Sequence, residues 1–255
     1  MEAGWLAMGE DDLPAGERWL APAEAASLAA LRFTKRRTEY LLRRLVAKHA
    51  VAAVTGRPTD PAALAGIEIR NAPSGAPYVC VEGTTLGLEV SITDRAGWAV
   101  CVARPAGEGA ESPVGCDLEL VEPRTPGFVL DFLTAAEQEL VASRAAGEER
   151  DMVANLIWSA KESALKVLRT GLRRDTRSLE VTLTAPRGDG WGELSVGAAE
   201  GTVFPGWWRR DGRFVLTVAT EVTAVAAEPP VALGAPGVLA AAQPRHSWLD
   251  RPLQG

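Results

Sequence analysis

The sequence repeats its own order of elements. The segment Leu20–Glu24 (LAPAE) resembles Leu133–Glu137 (LTAAE), and each precedes a stretch whose apolar residues recur at intervals of three and four, as in a long amphipathic helix. Each helix is expected to close near a glycine, Gly56 or Gly171, before a short alternating strand. The remaining shared features are a Pro/Gly turn, at 71–77 and 186–190, and a hairpin that bends at Arg95–Gly97 and at Arg210–Gly212.

This repetition predicts an α+β fold made of two similar α/β halves in a pseudo-twofold arrangement. Each half would pack one long helix on a small, mostly antiparallel sheet, and the active site would lie in the cleft between halves. A stretch rich in Gly, Ala and Glu from Pro105 to Pro113 sets the boundary. The predicted units are residues 1–112, residues 113–226 and an Ala/Pro-rich extended tail at 227–255, which Trp248 and Leu249 would hold locally.

Composition and charge exclude several classes of protein. The 255-residue chain is 47% hydrophobic and 24% charged, and no apolar run approaches the roughly 20 residues that span a bilayer. The acidic N-terminus does not resemble a signal peptide, so we expect a cytoplasmic protein without a membrane partner. A net charge of −6 argues against nucleic-acid binding. Three scattered cysteines predict no disulfide framework, and Cys116 is expected in the core.

Basic residues are nevertheless concentrated in the first long helix. In the segment LRFTKRRTEYLLRRLVAKH they face a single acid, Glu39. The basic residues are Arg32, Lys35, Arg36, Arg37, Arg43, Arg44 and Lys48. A basic helix in an acidic protein indicates a specific anionic ligand or partner, although about half of these residues are expected only to solvate the helix.

The stretch ESPVGCDLELVEPR predicts a half-buried strand that presents two acids together. Its apolar residues alternate with Asp117 and Glu119, which therefore project from the same face. Adjacent carboxylates repel each other unless a cation offsets their charge. The alternative is that both are solvated on an open strand face.

The second long helix contains a charged row, with Glu162 and Lys166 one turn apart. Taken alone, this pair fits an ordinary surface ion pair. Taken with the acidic strand, Glu162 could complete an oxygen site for Mg²⁺, and Lys166 could meet a phosphate held there.

Two motifs resemble those of 4′-phosphopantetheinyl transferases. The segment GCDLE is similar to the family's G-x-D-x-E motif, through Gly115, Asp117 and Glu119, and WSAKESALK is similar to W-x-x-K-E-x-x-x-K. The second match comprises Trp158, Lys161, Glu162 and Lys166. Their order and separation resemble the larger, monomeric type of the family, which is built as a pseudo-dimer. In addition, Gly75-Ala-Pro77 resembles the family's G-K-P segment, and Ser91-Ile-Thr93-Asp94 stands at the place of its S-x-S-H segment.

The resemblance implies Mg²⁺-dependent transfer of 4′-phosphopantetheine from coenzyme A, as co-substrate, to a serine of an apo acyl- or peptidyl-carrier protein. It implies metal binding by Asp117, Glu119 and Glu162, proton transfer by Glu162, and phosphate neutralisation by Lys166, with Asp117 also counted as catalytic. The residues it implies for coenzyme A are Arg36, Arg37, Arg44, Gly75, Pro77, Thr93, Asp94, Lys161 and Lys166, with Lys161 facing either phosphate or solvent. The partner would be a small acidic helical domain serving fatty-acid, polyketide or nonribosomal peptide synthesis.

Two positions depart from the family pattern. Ala76 replaces the usual lysine, and Asp94 replaces a histidine, which should weaken phosphate binding unless Arg95 compensates. These departures keep open a non-catalytic module that binds coenzyme A or carrier proteins. The acidic trio alone would also suit a metal-dependent phosphohydrolase.

Overall fold

The computed structural model describes residues 3–106, 113–221, 228–235 and 237–245. It confirms an α+β fold, with helices packed on largely antiparallel sheets. The first part of the chain contains β1 (Gly4–Gly9), α1 (Pro22–Ala29), α2 (Thr34–Thr55), α3 (Pro61–Ala65), β2 (Ile67–Asn71), β3 (Pro77–Val81), β4 (Thr84–Thr85), β5 (Leu88–Arg95) and β6 (Trp98–Pro105).

The second part presents a similar series. It contains β7 (Val114–Leu120), α4 (Pro126–Phe132), α5 (Ala135–Ala142), α6 (Glu148–Val167), β8 (Leu179–Leu183), β9 (Trp191–Ala198), β10 (Val203–Asp211), β11 (Phe214–Thr220) and β12 (Val231–Ala232). Both parts follow the order short helix, long helix, short strand and hairpin, as the sequence repeat predicts. A twofold relation between them in space stays a prediction, as does their division into domains, whose predicted boundary falls largely at residues 107–112, outside the described ranges.

The strands form three sheets. Their orders are β12-β1-β6-β5, β7-β11-β10-β9-β8 and β2-β3-β4, and the one parallel pair among the described strands joins β1 and β12. The predicted hairpins are present, with β5 joined to β6 and β10 joined to β11 by tight turns. The first of these turns places both Ala96 and Gly97 at positive φ, 49° and 81°, as a two-residue hairpin loop requires.

A buried ion pair recurs in both parts. Lys48 of α2 lies 2.6 Å from Glu24 of α1, and Lys161 of α6 lies 2.6 Å from Glu137 of α5. Each glutamate also accepts a hydrogen bond from a strand N–H, that of Ile69 at 3.0 Å or of Val181 at 2.9 Å. The resemblance of LAPAE to LTAAE therefore reflects one repeated structural device, in which a short helix is fixed to a long helix and a strand.

The C-terminal residues differ from the predicted extended tail. Within the described ranges, β12 extends the sheet beside β1, and Leu239 and Ala242 are buried against the apolar residues of the β7–β11 sheet. Burial of Leu239 explains the difference, since an apolar side chain is stabilised by a core that the local sequence does not reveal. Trp248 and Leu249 lie outside the described residues. Among the described helices, none combines the length and the apolar character needed to cross a membrane.

Candidate active site

The candidate site lies along a polar seam between β5 and β7, which belong to different sheets. Alternate residues of β5 share one face and meet β7 or the end of α6. The contacts along the seam are Glu89 Oε2 to Arg169 Nη2 (3.8 Å), Ser91 Oγ to the Cys116 N–H (2.9 Å), Thr93 Oγ1 to Asp117 Oδ1 (3.1 Å) and Arg95 Nε to Glu119 Oε2 (3.1 Å). The strand predicted to be half-buried is buried on both faces.

Asp117 and Lys166 form the centre of this seam. The Lys166 ammonium donates to Asp117 Oδ1 at 3.0 Å and to the Cys116 carbonyl at 2.7 Å. Burial is the largest influence on Lys166 and opposes its charged form, but the charges of Asp117 and its other neighbours, together with the hydrogen bond to Asp117, raise the pKa of the lysine. Lys166 therefore stays charged and has about 30% of its side chain exposed.

Two buried carboxylate oxygens are left without a hydrogen bond. Within the described residues, neither Asp117 Oδ2 nor Glu162 Oε1 has a hydrogen-bond partner, although both atoms are shielded from solvent. Burial and the neighbouring charge of Asp117 raise the pKa of Glu162 to about 7. A buried carboxylate oxygen without a hydrogen-bond partner is costly, so each of these two oxygens has the character of a cation ligand.

Glu119 lies in a different environment. Its Oε1 accepts from the Trp158 indole N–H at 3.1 Å, and its Oε2 accepts from Arg124 at 2.9 Å and pairs with Arg95. Arg95 also pairs with Glu122, while Arg124 donates to Asn155 at 2.6 Å. Both oxygens of Glu119 are therefore occupied by donors from this chain.

The predicted set of three carboxylates is consequently not assembled. No three His, Cys, Asp or Glu side chains within the described ranges form a group able to hold a metal ion. The two unpartnered oxygens of Asp117 and Glu162 still fit Mg²⁺, which uses one or two protein carboxylates and takes its other oxygens from substrate phosphates and water.

The surrounding packing accounts for the small and aromatic residues of the motifs. A Cβ added at Gly115 would lie 1.9 Å from the Ser163 carbonyl, so only glycine lets β7 pass this close to α6. Trp158 packs edge-on against Phe128 and Phe132 while its N–H holds Glu119.

A cleft of about 240 Å³ opens beside Lys166. Its lining from the first half includes Gly75 and Pro77, and its lining from the second half includes Lys166 and Arg169. The structure thus brings together three of the residues predicted to bind coenzyme A, namely Gly75, Pro77 and Lys166.

Other residues predicted to bind coenzyme A serve different contacts. Thr93 is buried and donates to Asp117, so it positions a site residue. Asp94 faces the opposite side of β5 and accepts from Arg43 at 2.6 Å, because neighbouring strand residues point to opposite faces. Lys161 is fully buried against Glu137 and the carbonyls of Phe132 and Thr176, a position that sequence spacing alone did not reveal. The structure does not bring it to the cleft.

The three predicted arginines of α2 are also separated. Arg37 donates to the Leu28 carbonyl at 2.7 Å, at the end of α1, and Arg36 is exposed. Arg44 donates to Asn71 at 3.2 Å, and Asn71 in turn donates to the Gly75 carbonyl at 2.8 Å. Arg44 is therefore the arginine linked to the loop that lines the cleft.

The sequence did not predict that Arg124, Glu122 and Ser91 would make contacts in the seam. The alternation of β5 could have placed Ser91 beside Thr93 and Arg95 on one face. No local pattern marks Arg124 or Glu122, which follow β7 without regular spacing.

A comparison with protein-family models agrees with the motifs. Residues 113–201 match the family model described as the 4′-phosphopantetheinyl transferase superfamily. No curated protein matches. Among solved structures, a holo-(acyl-carrier-protein) synthase from Bacillus anthracis str. Ames, in complex with CoA (3′,5′-ADP), is similar with 23% identity, a TM-score of 0.35 and coverage of 42% of this chain and 96% of that chain. The holo-[acyl-carrier-protein] synthase of Thermotoga maritima is similar with 18% identity, a TM-score of 0.35 and coverage of 58% and 96%, respectively.

The family match contains the strand and helix that carry both motifs, and the structure brings those motifs to one seam. Through its residues 113–201, the chain is similar to the 4′-phosphopantetheinyl transferase superfamily.

Proposed function

We propose that this protein transfers the 4′-phosphopantetheine group of coenzyme A to a serine hydroxyl of an apo acyl- or peptidyl-carrier domain and releases adenosine 3′,5′-bisphosphate. One observation carries the proposal: Lys166 and the unpartnered oxygens of Asp117 and Glu162 lie at the seam, beside a cleft that both halves line. Because one chain supplies both walls of the cleft, we also propose that it acts as a monomer.

Coenzyme A would enter the cleft with its diphosphate towards Lys166. Gly75 and Pro77 would form the wall of the cleft that faces Lys166. Arg44 would support the loop that contains Gly75 through its hydrogen bond to Asn71. Of the other two predicted arginines, Arg36 is exposed and therefore accessible to the nucleotide phosphates, whereas Arg37 already binds the end of α1.

Lys166 would stabilise the negative charge that develops as the bond between the phosphoryl group and its leaving phosphate breaks. Its ammonium is held in place by two oxygens, which pre-organises the donor before the substrate arrives. The raised pKa of Lys166 keeps it charged for this purpose.

Glu162 is the residue suited to accept the serine proton. Its Oε1 is buried and has no hydrogen-bond partner within the described residues, so it could accept a proton. Asp117 and Glu162 would hold Mg²⁺, which would offset the charge of the bound diphosphate.

The direct test is to incubate the protein with coenzyme A, Mg²⁺ and several apo-carrier domains, and to weigh the carriers by mass spectrometry. We expect the mass of one phosphopantetheine group on the carrier serine, and near-complete loss of transfer in Asp117→Asn. Binding of coenzyme A without any mass increase would favour a non-catalytic module, the rival suggested by Ala76 and Asp94. Phosphate release without a carrier would identify a phosphohydrolase, and either result refutes the proposal.

A further inference from the structure

Arg169, just beyond the end of α6, has a backbone conformation that is unfavourable for an arginine. Its φ is 55°, in the left-handed region that favours glycine, and the residue lines the cleft beside Lys166. We infer that Arg169 is a substrate-binding residue whose guanidinium group binds a phosphate of coenzyme A. This inference rests on the proposed function.

The first half of the chain has a glycine at the equivalent position. Gly56 lies eight residues after Lys48 of the repeated ion pair and has a φ of 67°. Arg169 lies eight residues after Lys161, the matching lysine. In both halves the next residue donates its N–H to the carbonyl five residues before it, at 2.9 Å after Gly56 and at 3.2 Å after Arg169. The same helix end is therefore built twice, once with glycine and once with arginine.

The cleft distinguishes these two helix ends. Arg169 lines it and Gly56 does not. A cation is favoured near the C-terminus of a helix, but any position in the last turn of α6 would supply one without the left-handed backbone. A residue that is held in an unfavourable conformation beside a cleft points to a function for its side chain.

The cleft has few positive charges with which to bind phosphates. Among the described residues that line it, Lys166 and Arg169 are the two cations, and Glu89 is the one acid. The facing loop has Ala76 where the resemblance to the transferases places a lysine. Arg95, which the sequence suggested as a substitute, pairs instead with two acids of the second half. Arg169 therefore supplies the second cation of the cleft.

Glu89 of β5 pairs with Arg169 across the seam. Arg169 Nη2 lies 3.8 Å from Glu89 Oε2, which is longer than a hydrogen bond, and the two side chains are 34% and 20% exposed. A phosphate could replace this carboxylate, because a guanidinium group forms shorter, bidentate hydrogen bonds to phosphate oxygens.

Coenzyme A offers two kinds of phosphate, a diphosphate and a 3′-phosphate. Arg169 follows Lys166 by three residues, so the two cations lie about one helical turn apart on one side of the cleft. Arg169 can therefore bind either the 3′-phosphate or the part of the diphosphate that is farther from Lys166. In both cases its contact contributes to the binding of coenzyme A, and we expect a change in KM with little change in kcat.

The test is to measure the binding of coenzyme A to Arg169→Gly by calorimetry, with Mg²⁺ and without a carrier. We expect the Kd to rise by at least about tenfold, as for a lost charge-assisted hydrogen bond. The melting temperature should stay the same or rise, because glycine adopts the left-handed conformation without strain. A purely structural residue would not combine weaker binding with unchanged or higher stability.

Two further variants and one control accompany this test. Arg169→Lys should recover part of the binding, and Arg169→Met repeats the test with a side chain in place. The control is Arg177→Met, which removes an exposed arginine that pairs with Asp175 and does not line the cleft. It should change the Kd by less than about threefold, since the charge of an exposed residue is screened.

Two comparisons define the contact. A Kd for 3′-dephospho-coenzyme A that Arg169→Gly leaves unchanged would assign the contact to the 3′-phosphate, and equal weakening of both ligands would assign it to the diphosphate. Glu89→Gln should tighten the binding of coenzyme A because it removes the competing carboxylate, and it should have no such effect in the Arg169→Gly background.

An unchanged Kd for coenzyme A in both Arg169→Gly and Arg169→Met would overturn the inference. A raised KM for the carrier with an unchanged Kd for coenzyme A would also overturn it, because Arg169 would then contact the carrier. Both outcomes are compatible with transfer to the carrier by the unaltered protein, and hence with the proposed function. Conversely, Arg169-dependent binding of coenzyme A without any transfer would refute the proposed function alone.

Discussion

Replacing Glu137 by glutamine should destabilise the protein strongly, because it leaves a buried lysine without its counterion. The Lys161 ammonium is fully buried, 2.6 Å from Glu137 Oε2, and its other acceptors are two backbone carbonyls. Burial already lowers the pKa of Lys161 despite the carboxylate. Removing one partner of such a pair typically costs about 3–5 kcal/mol in the free energy of unfolding.

That cost is large beside the total stability of a domain, about 5–15 kcal/mol. At about 2–4 °C per kcal/mol for a chain of this size, the melting temperature should fall by roughly 6–20 °C. The measurement is urea unfolding followed by tryptophan fluorescence, supported by calorimetry. Glu39→Gln is the control, since Glu39 pairs with the exposed Lys35 at 3.7 Å and should have little effect.

The double variant Glu137→Gln/Lys161→Met should recover part of the loss, because it removes both charges instead of one. Lys161→Met should also lower stability without a selective increase in the KM for coenzyme A. A loss below about 1 kcal/mol in Glu137→Gln would refute the reasoning, since an exposed pair typically contributes no more than that. If Lys161→Met folds with an unchanged melting temperature but has a raised KM for coenzyme A, then Lys161 contacts the substrate.

Three further changes follow from the packing of the site. Gly115→Ala should lower the free energy of unfolding, measured by chemical denaturation, by about 1–3 kcal/mol or more, because the added Cβ would overlap the Ser163 carbonyl. Gly197→Ala is the control, since its added Cβ would lie 3.9 Å from the nearest atom and should be tolerated far better. Lys166→Met should lower the kcat of carrier modification by a factor of about 10²–10³. An unchanged kcat would show that Lys166 does not stabilise the charge that develops on the leaving phosphate. Leu239→Ala should lower the free energy of unfolding by about 2–5 kcal/mol, because Leu239 is 1% exposed; a neutral result would show that the C-terminal segment does not contribute to the core.

The sequence was sufficient for features that depend on local pattern. Alternating apolar residues predicted β7 and the two hairpins, and Gly56 predicted the end of α2. These predictions succeeded because strand period, turn type and a left-handed C-cap each depend on residues that are neighbours in sequence. The two motifs likewise predicted that Asp117, Glu162 and Lys166 would lie close together, and the structure brings them to one seam.

Tertiary structure alone decided which charges are paired and which remain open. Lys161 and Lys166 lie on the same helix, yet one is fully buried against α5 and the other meets Asp117. Asp117 and Glu119 alternate identically along β7, yet only Glu119 meets two arginines, Arg95 from β5 and Arg124 from the segment after β7. The physical reason is that the environment of a buried charge is set by neighbours distant in sequence, and no local pattern encodes them.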